Sequence, residues 1–287
     1  MPVHEGAAWI GATLDSLTAE PTGGLEIIII DSSPTSATAA VVERFVQRLP
    51  LRLLQRRDLG QWQTKTNFGV ELAAADHVCI LPSDDLWLPG RVEAVRRWIA
   101  DAPGAVLHLA PTAIVDRYGR RLGRWNCPLP ADEVLEAEFL LERLLVQNFV
   151  SVPAPVFRRS AWLACGGVDE KLWYTADWDV WAKLAGTGPV TYHDEITTAF
   201  RVHGSSLTVT GSRDASEFRS QMQIVLERHL PRLPALAAAS AGNLKDLVRA
   251  AGVVLSLGPI GMRRYLRDSR LRERAVCRLR AKLTGAF

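Results

Sequence analysis

Apolar residues recur along this chain in two rhythms, and the switches between them predict its elements. Residues 25–30 form an apolar run interrupted only by Glu26 and mostly β-branched, as a strand buried on both faces requires. Residues 51–55 and 77–81 are two further short runs bounded by turn formers. Between these runs the spacing turns helical. Trp9, Ile10, Leu14 and Leu17 mark one face of a helix over residues 8–17, and helices are predicted over 36–49, 66–75 and 91–100. Such alternation is the order of a parallel sheet with crossover helices.

The second half is cut into shorter pieces. A strand is predicted over 105–109, then a hairpin with strands at 113–115 and 121–125 around a turn at 117–119. A helix follows over 131–146 and an extended segment over 152–157. Ser160 caps a short helix that Gly166-Gly167 ends, and residues 176–185 form another. Short strands over 190–193 and 197–202 precede a pattern that is helical from 214 onward, broken near Pro231, Pro234 and Gly258-Pro259.

Composition narrows this picture without redirecting it. The 287 residues are 48% hydrophobic and 23% charged, with a net charge of +3, which suits one large α/β domain or one domain with an appendage. The basic residues concentrate over 263–282, where a helix would either lie on an anionic surface or pack, solvated, on the core. Cys79, Cys127, Cys165 and Cys277 show no metal-ligand spacing and read as reduced cytosolic thiols. Residues 1–6 lack the order of a signal peptide, and the apolar run at 252–262 is too short to span a bilayer. The chain has no Gly-x-Ser-x-Gly, no Walker loop and no Gly-x-Gly-x-x-Gly, which weakens hydrolase, phosphate-loop and dehydrogenase readings.

The chemistry-bearing residues sit where strands end. Asp31 closes the first run, and Asp84 and Asp85 follow the third, on the side of an open α/β sheet where ligands bind. Adjacent carboxylates need compensation, and a divalent, oxygen-preferring cation supplies it; a solvated turn with Asp84 as a helix cap is the plainer alternative. Asp177 and Asp179 open the helix at 176–185 and, two residues apart, do not share a face. Asp179 reads as a surface pair with Lys183, whereas Asp177 is either an N-cap or a general base beside Trp181. Arg201 and His203, at a strand end beside Gly204 and Ser206, could bind phosphate or complete a metal shell.

Several segments together resemble the family 2 glycosyltransferases of the GT-A fold. They are Pro2-Val-His-Glu-Gly6, the run ending at Asp31, Lys65-Thr-Asn67, Ser83-Asp-Asp-Leu-Trp-Leu-Pro-Gly-Arg91, Gly166-Gly-Val-Asp169, Ala176-Asp-Trp-Asp-Val-Trp181 and Arg201-x-His203. The resemblance implies an α/β, GT-A type Rossmann-like, mostly parallel sheet flanked by helices over 1–212, with a donor half (about 1–110), an acceptor half (about 111–212) and a helical C-terminal extension at 213–287. It implies an inverting, metal-dependent transferase that moves a sugar from a nucleotide-diphosphate sugar to a glycan or lipid-linked acceptor. Asp177 would be the base; Asp31, Lys65, Asp84 and Arg91 would meet the donor; Asp84, Asp85 and His203 would hold Mg²⁺ or Mn²⁺. Asp179, Arg201 and Gly167 would support the site. The setting implied is cytoplasmic, without nucleic acid, with peripheral membrane contact through the basic C-terminus.

Three departures bear on those expectations. Pro82 stands where many members carry the first acid of the metal motif, and Ala176 replaces an acidic neighbour of the base. The family's first strand, which would precede residues 2–5, has no residues here, so we expect a chain that begins late. A degenerate domain that binds nucleotide or a partner without catalysis, and a nucleotidyltransferase, are the alternatives.

Overall fold

The structure is a computed structural model that describes residues 1–204, 206 and 215–233. Its first half runs β1 (Pro2–Val3), α1 (Ile10–Thr18), β2 (Ile27–Asp31), α2 (Ala37–Val42), β3 (Leu51–Gln55), α3 (Trp62–Leu72), β4 (His77–Val78), β5 (Leu86–Trp87) and α4 (Arg91–Asp101). There follow β6 (Leu107–Leu109), β7 (Thr112–Val115), β8 (Arg121–Trp125), β9 (Val134–Leu135), α5 (Ala137–Val146), β10 (Val156–Arg158) and α6 (Arg159–Ala164). The last elements are α7 (Ala176–Leu184), β11 (Val190–Tyr192), β12 (Thr198–Arg201) and α8 (Ala215–His229). The basic segment at 263–282, Cys277 and most of the predicted C-terminal extension lie outside the described residues.

The fold is mixed α/β with flanking helices. The strands β1, β2 and β3 pair in parallel, with Val3 opposite Asp31 and Asp31 opposite Gln55. A five-stranded group has the order β4-β10-β6-β11-β9 and a four-stranded one β5-β12-β7-β8, each mixing parallel and antiparallel pairs. All five residues of β2 are buried, as the β-branched run requires.

The apolar run at 77–81 differs from its prediction in an informative way. Only His77 and Val78 enter a ladder, antiparallel to β10. The rest of the run is nevertheless enclosed, because its alternate side chains face two cores: Val78 and Ile80 pack with Leu107, Phe157 and Trp162, and Cys79 and Leu81 with Ile29, Leu14 and Val92. Pro82 then follows, without an N–H to continue a ladder.

Other boundaries move because tertiary partners capture the ends. The helix predicted over 66–75 starts at Trp62, whose indole donates to Trp173 O while Gln63 donates to Leu172 O, and it stops where the Ala74 N–H bonds Glu26. The helix predicted from 131 begins at Ala137, since Val134 and Leu135 join β11. Ser160 is not a cap: the N-cap of α6 is Arg158, with no side-chain bond.

Candidate active site

The loop after the run at 77–81 is folded tightly and pinned from α1. The Asp85 N–H donates to Pro82 O, and Thr13 Oγ1 donates to Ser83 O at 2.8 Å. Gly6 lets the first segment pass close by, since a Cβ there would lie 2.7 Å from Val3 Cγ1 and 3.3 Å from Ser83 Oγ. Strand β5 pairs with β12, which carries Arg201 and leads into His203. This turn separates the two acids. Asp84 keeps a side chain 25% exposed, and His203 Nε2 donates to its Oδ2 at 2.9 Å. Asp85 is turned inward at 1% exposure, and its Oδ1 accepts the Arg201 N–H at 2.8 Å. Burial, and next the charge of Asp84, push the Asp85 carboxyl well above the usual carboxylate range. Its Oδ2 has no hydrogen-bond partner among the described residues.

Arg201 ties this loop together. Its Nε donates to Asp84 O at 2.8 Å and its Nη1 to Arg117 O at 3.2 Å, while the guanidinium lies 5.4 Å from the Trp9 ring centre. The same Trp9 stacks on His203, with ring centres 4.5 Å apart and planes 25° apart. The sequence reading placed Trp9 on the apolar face of a helix; an aromatic residue beside Ile10 carries no local sign that it will turn toward a histidine.

The ends of β1 and β2 form a second polar layer. Asp31, 2% exposed, accepts from the Ser33 N–H at 2.9 Å and from Ser33 Oγ at 2.5 Å. Lys65 reaches up from α3, also buried, and its Nζ donates to Val3 O at 2.8 Å and Ser32 Oγ at 2.7 Å. Burial lowers the Lys65 ammonium to about 8, against the opposing charge of Asp31. Lys65 thus braces the strand ends from beneath.

Asp177 stands in the first turn of α7, whose N-cap is Thr175, and remains partly exposed. Asn148 Nδ2 donates to its Oδ2 at 3.0 Å. The expected surface pair at Asp179 is corrected. Asp179 is fully buried and takes Lys183 at 2.8 Å, Arg228 at 2.8 Å and His229 at 2.9 Å, because α8 packs over this face of α7. Burial alone would raise the Asp179 carboxyl. Hydrogen bonds from His229 and Lys183, with the charges of Lys183 and Arg228, outweigh it and hold the group down at about 2. Gln221 of α8 also accepts the Tyr174 and Thr175 N–H groups at 2.9 and 3.3 Å, so α8 fixes the turn that carries Asp177.

Arg91 is fully buried, donating to Thr197 Oγ1 at 2.8 Å and Ala154 O at 2.7 Å, with its guanidinium 5.3 Å from the Trp98 ring centre. Gly167 is required by space: its φ is +60°, and a Cβ would fall 2.4 Å from Asn67 Oδ1. The Asn67 Nδ2 donates to Val168 O at 2.9 Å, which pins that turn to α3.

The order of these segments and their placement match a known family. The model for Glycosyl transferase family 2 covers residues 1–159. The chain belongs to that family. Among relatives of this glycosyltransferase, the amylovoran biosynthesis glycosyltransferase AmsE of Erwinia amylovora is 25% identical over 215 residues, covering 74% of this chain and 76% of that one. The structure of TarS 1-349 from S. aureus, in complex with UDP-GlcNAc, has a TM-score of 0.65 at 15% identity, over 99% of this chain and 90% of that one. Against a longer TarS structure the match spans only 38% of that chain. A mannosyltransferase from Pyrobaculum calidifontis, in complex with GDP-Man and Mn2+, has a TM-score of 0.55 at 18% identity, over 97% of this chain and 85% of that one. At these identities the likeness to solved structures establishes the GT-A architecture.

Among the described residues no three His, Cys, Asp or Glu side chains form a metal cage. The donor set still fits Mg²⁺ or Mn²⁺. Asp84 and His203 are a carboxylate and an imidazole side by side, the buried Oδ2 of the adjacent Asp85 lacks a partner among the described residues, and such ions keep several water and phosphate ligands.

Proposed function

We propose that this glycosyltransferase moves a sugar from a nucleotide-diphosphate sugar to an acceptor hydroxyl with inversion, and that Asp177 is its base. The observation that carries this reading is the division of labour among the acids. Asp84 meets His203 across 119 residues of sequence, while Asp177, on another element, stays partly exposed and oriented by Asn148. In the reaction the acceptor oxygen bonds to the anomeric carbon as the bond from that carbon to the diphosphate oxygen breaks. Asp177 takes the acceptor's hydroxyl proton, and the nucleoside diphosphate leaves with the bonding electrons. A base so placed contributes about 10²- to 10⁴-fold.

Asp84 and His203 would hold Mg²⁺ or Mn²⁺, with Asp85 adding charge from behind. When bound, the ion stabilises the negative charge of the departing diphosphate. Asp31, at the end of β2, faces the nucleoside portion of the donor, and Lys65 keeps β1 and β2 in place beneath it. The UDP-GlcNAc and GDP-Man complexes of the structural neighbours support a donor of this class. The acceptor is a glycan or glycolipid hydroxyl, a reading supported by the name of the AmsE relative, an amylovoran biosynthesis glycosyltransferase.

One observation favours a second reading, binding without catalysis: with Asp85 turned inward, the exposed acid set at this loop is reduced to Asp84. Turnover over a panel of nucleotide sugars with Mn²⁺ separates the two. Wild type should release nucleoside diphosphate, and Asp177→Asn should do so about 10²-fold or more slowly with donor KM unaltered. Equal rates would remove Asp177 as the base, and nucleotide binding without turnover in either protein would establish the second reading.

A further inference from the structure

The tip of the β7–β8 hairpin is the most cationic exposed turn among the described residues, and the chemistry above makes no use of its side chains. Its sequence is Asp116-Arg-Tyr-Gly-Arg-Arg121. The turn is built rigidly: Asp116 Oδ1 accepts the N–H groups of Tyr118 at 2.8 Å and Arg120 at 2.9 Å, and Gly119 takes a φ of +81°. The result presents Tyr118 at 71% exposure, with the guanidinium carbons of Arg117 and Arg120 at 5.3 and 5.2 Å from its ring centre. Arg121 is exposed beside them. Among the described residues Arg120 pairs with Asp116, and Arg117 and Arg121 have no acidic partner.

We propose that this tip docks on an anionic phospholipid surface. Small ligands are held in concave sites, whereas five consecutive exposed residues at a hairpin turn on an edge strand present a projecting one. A projecting tip fits a planar partner. Tyrosine, with an apolar ring and a polar end, and arginine, with an apolar stem and a charged head, suit the boundary between water and acyl chains. Unpaired guanidiniums complement headgroup phosphates. The tip is also coupled to the site: the one Arg201 guanidinium donates to both Arg117 O and Asp84 O. A surface that holds the hairpin therefore fixes the Asp84–His203 end of the site relative to the lipid from which a lipid-linked acceptor comes. That consequence for the acceptor rests on the transferase reading; the docking does not.

The test is co-flotation of the full chain with vesicles of phosphatidylcholine, with and without phosphatidylglycerol, which reads no turnover. Wild type should float with the anionic vesicles and not the neutral ones. The double variant R117Q/R121Q should partition about 30-fold more weakly, and Tyr118→Ser about fivefold more weakly. Thermal unfolding matched to wild type shows that these surface variants are intact. Equal partition of wild type and both variants overturns the proposal, as does equal wild-type binding to neutral and anionic vesicles. Retention on the soluble polyanion alginate, lost in the variants and without vesicle flotation, overturns it in favour of an acidic glycan.

Discussion

His203 donates to Asp84 at 2.9 Å while its ring lies on Trp9 at 4.5 Å, so one imidazole joins the strand-end loop to the first helix. If this pair holds the cation, His203→Ala should weaken Mn²⁺-dependent binding of nucleoside diphosphates by about tenfold or more, equivalent to about 1.4 kcal/mol. Calorimetric titration with Mn²⁺, and again after chelation with EDTA, checks this. Identical Mn²⁺ dependence in wild type and variant would exclude the pair as the metal end.

Trp9 should behave as a positioning residue. Trp9→Ala removes a ring stack worth about 1 kcal/mol and frees the imidazole. We expect about fivefold weaker Mn²⁺-dependent nucleotide binding, with Trp9→Phe restoring most of it. Failure of Phe to restore binding would assign Trp9 another role.

The Asp179 cluster predicts an acid-sensitive junction between α7 and α8. The folded carboxyl, held at about 2, lies below its ordinary 3.8, so the unfolded chain binds the proton more tightly. Its contribution is therefore complete above pH 4 and is lost as pH falls through the folded value, an effect of about 2 kcal/mol. Urea unfolding at a series of acid pH values should show wild type losing stability in that interval more steeply than Asp179→Asn. At neutral pH the variant should be less stable by about 3 kcal/mol, because three basic side chains are left around a neutral amide. Parallel pH curves for the two proteins would refute the assignment.

Arg91 separates a bracing role from a binding one. Arg91→Lys loses the forked geometry that reaches Thr197 and Ala154 together, so unfolding free energy should drop by about 2 kcal/mol while donor KM stays unchanged. A raised KM with unaltered stability would return Arg91 to the donor site.

Much of this protein was legible in its residues because the relevant information is local. The β-branched run of β2, the crossover helices and the hairpin around Gly119 follow from spacing and turn chemistry, which act over a few residues. Asp31 follows from the same pattern, since the parallel β1-β2-β3 group delivers its strand ends to one side, whereas Asp84 and Asp85 follow β4, which pairs antiparallel to β10. Orientation was decided elsewhere. Asp84 and Asp85 are identical neighbours, and only the Pro82 turn and the pairing of β5 with β12 expose one and bury the other. Asp179 has the spacing of a surface pair with Lys183 until α8 arrives with Arg228 and His229. Arg91 looks like a ligand contact until Thr197 and Ala154 close over it. Each of these outcomes depends on groups dozens of residues away, which no local pattern records; the sequence by itself determined where carboxylates and bases stand, and the packing of distant elements decided which of them face the solvent.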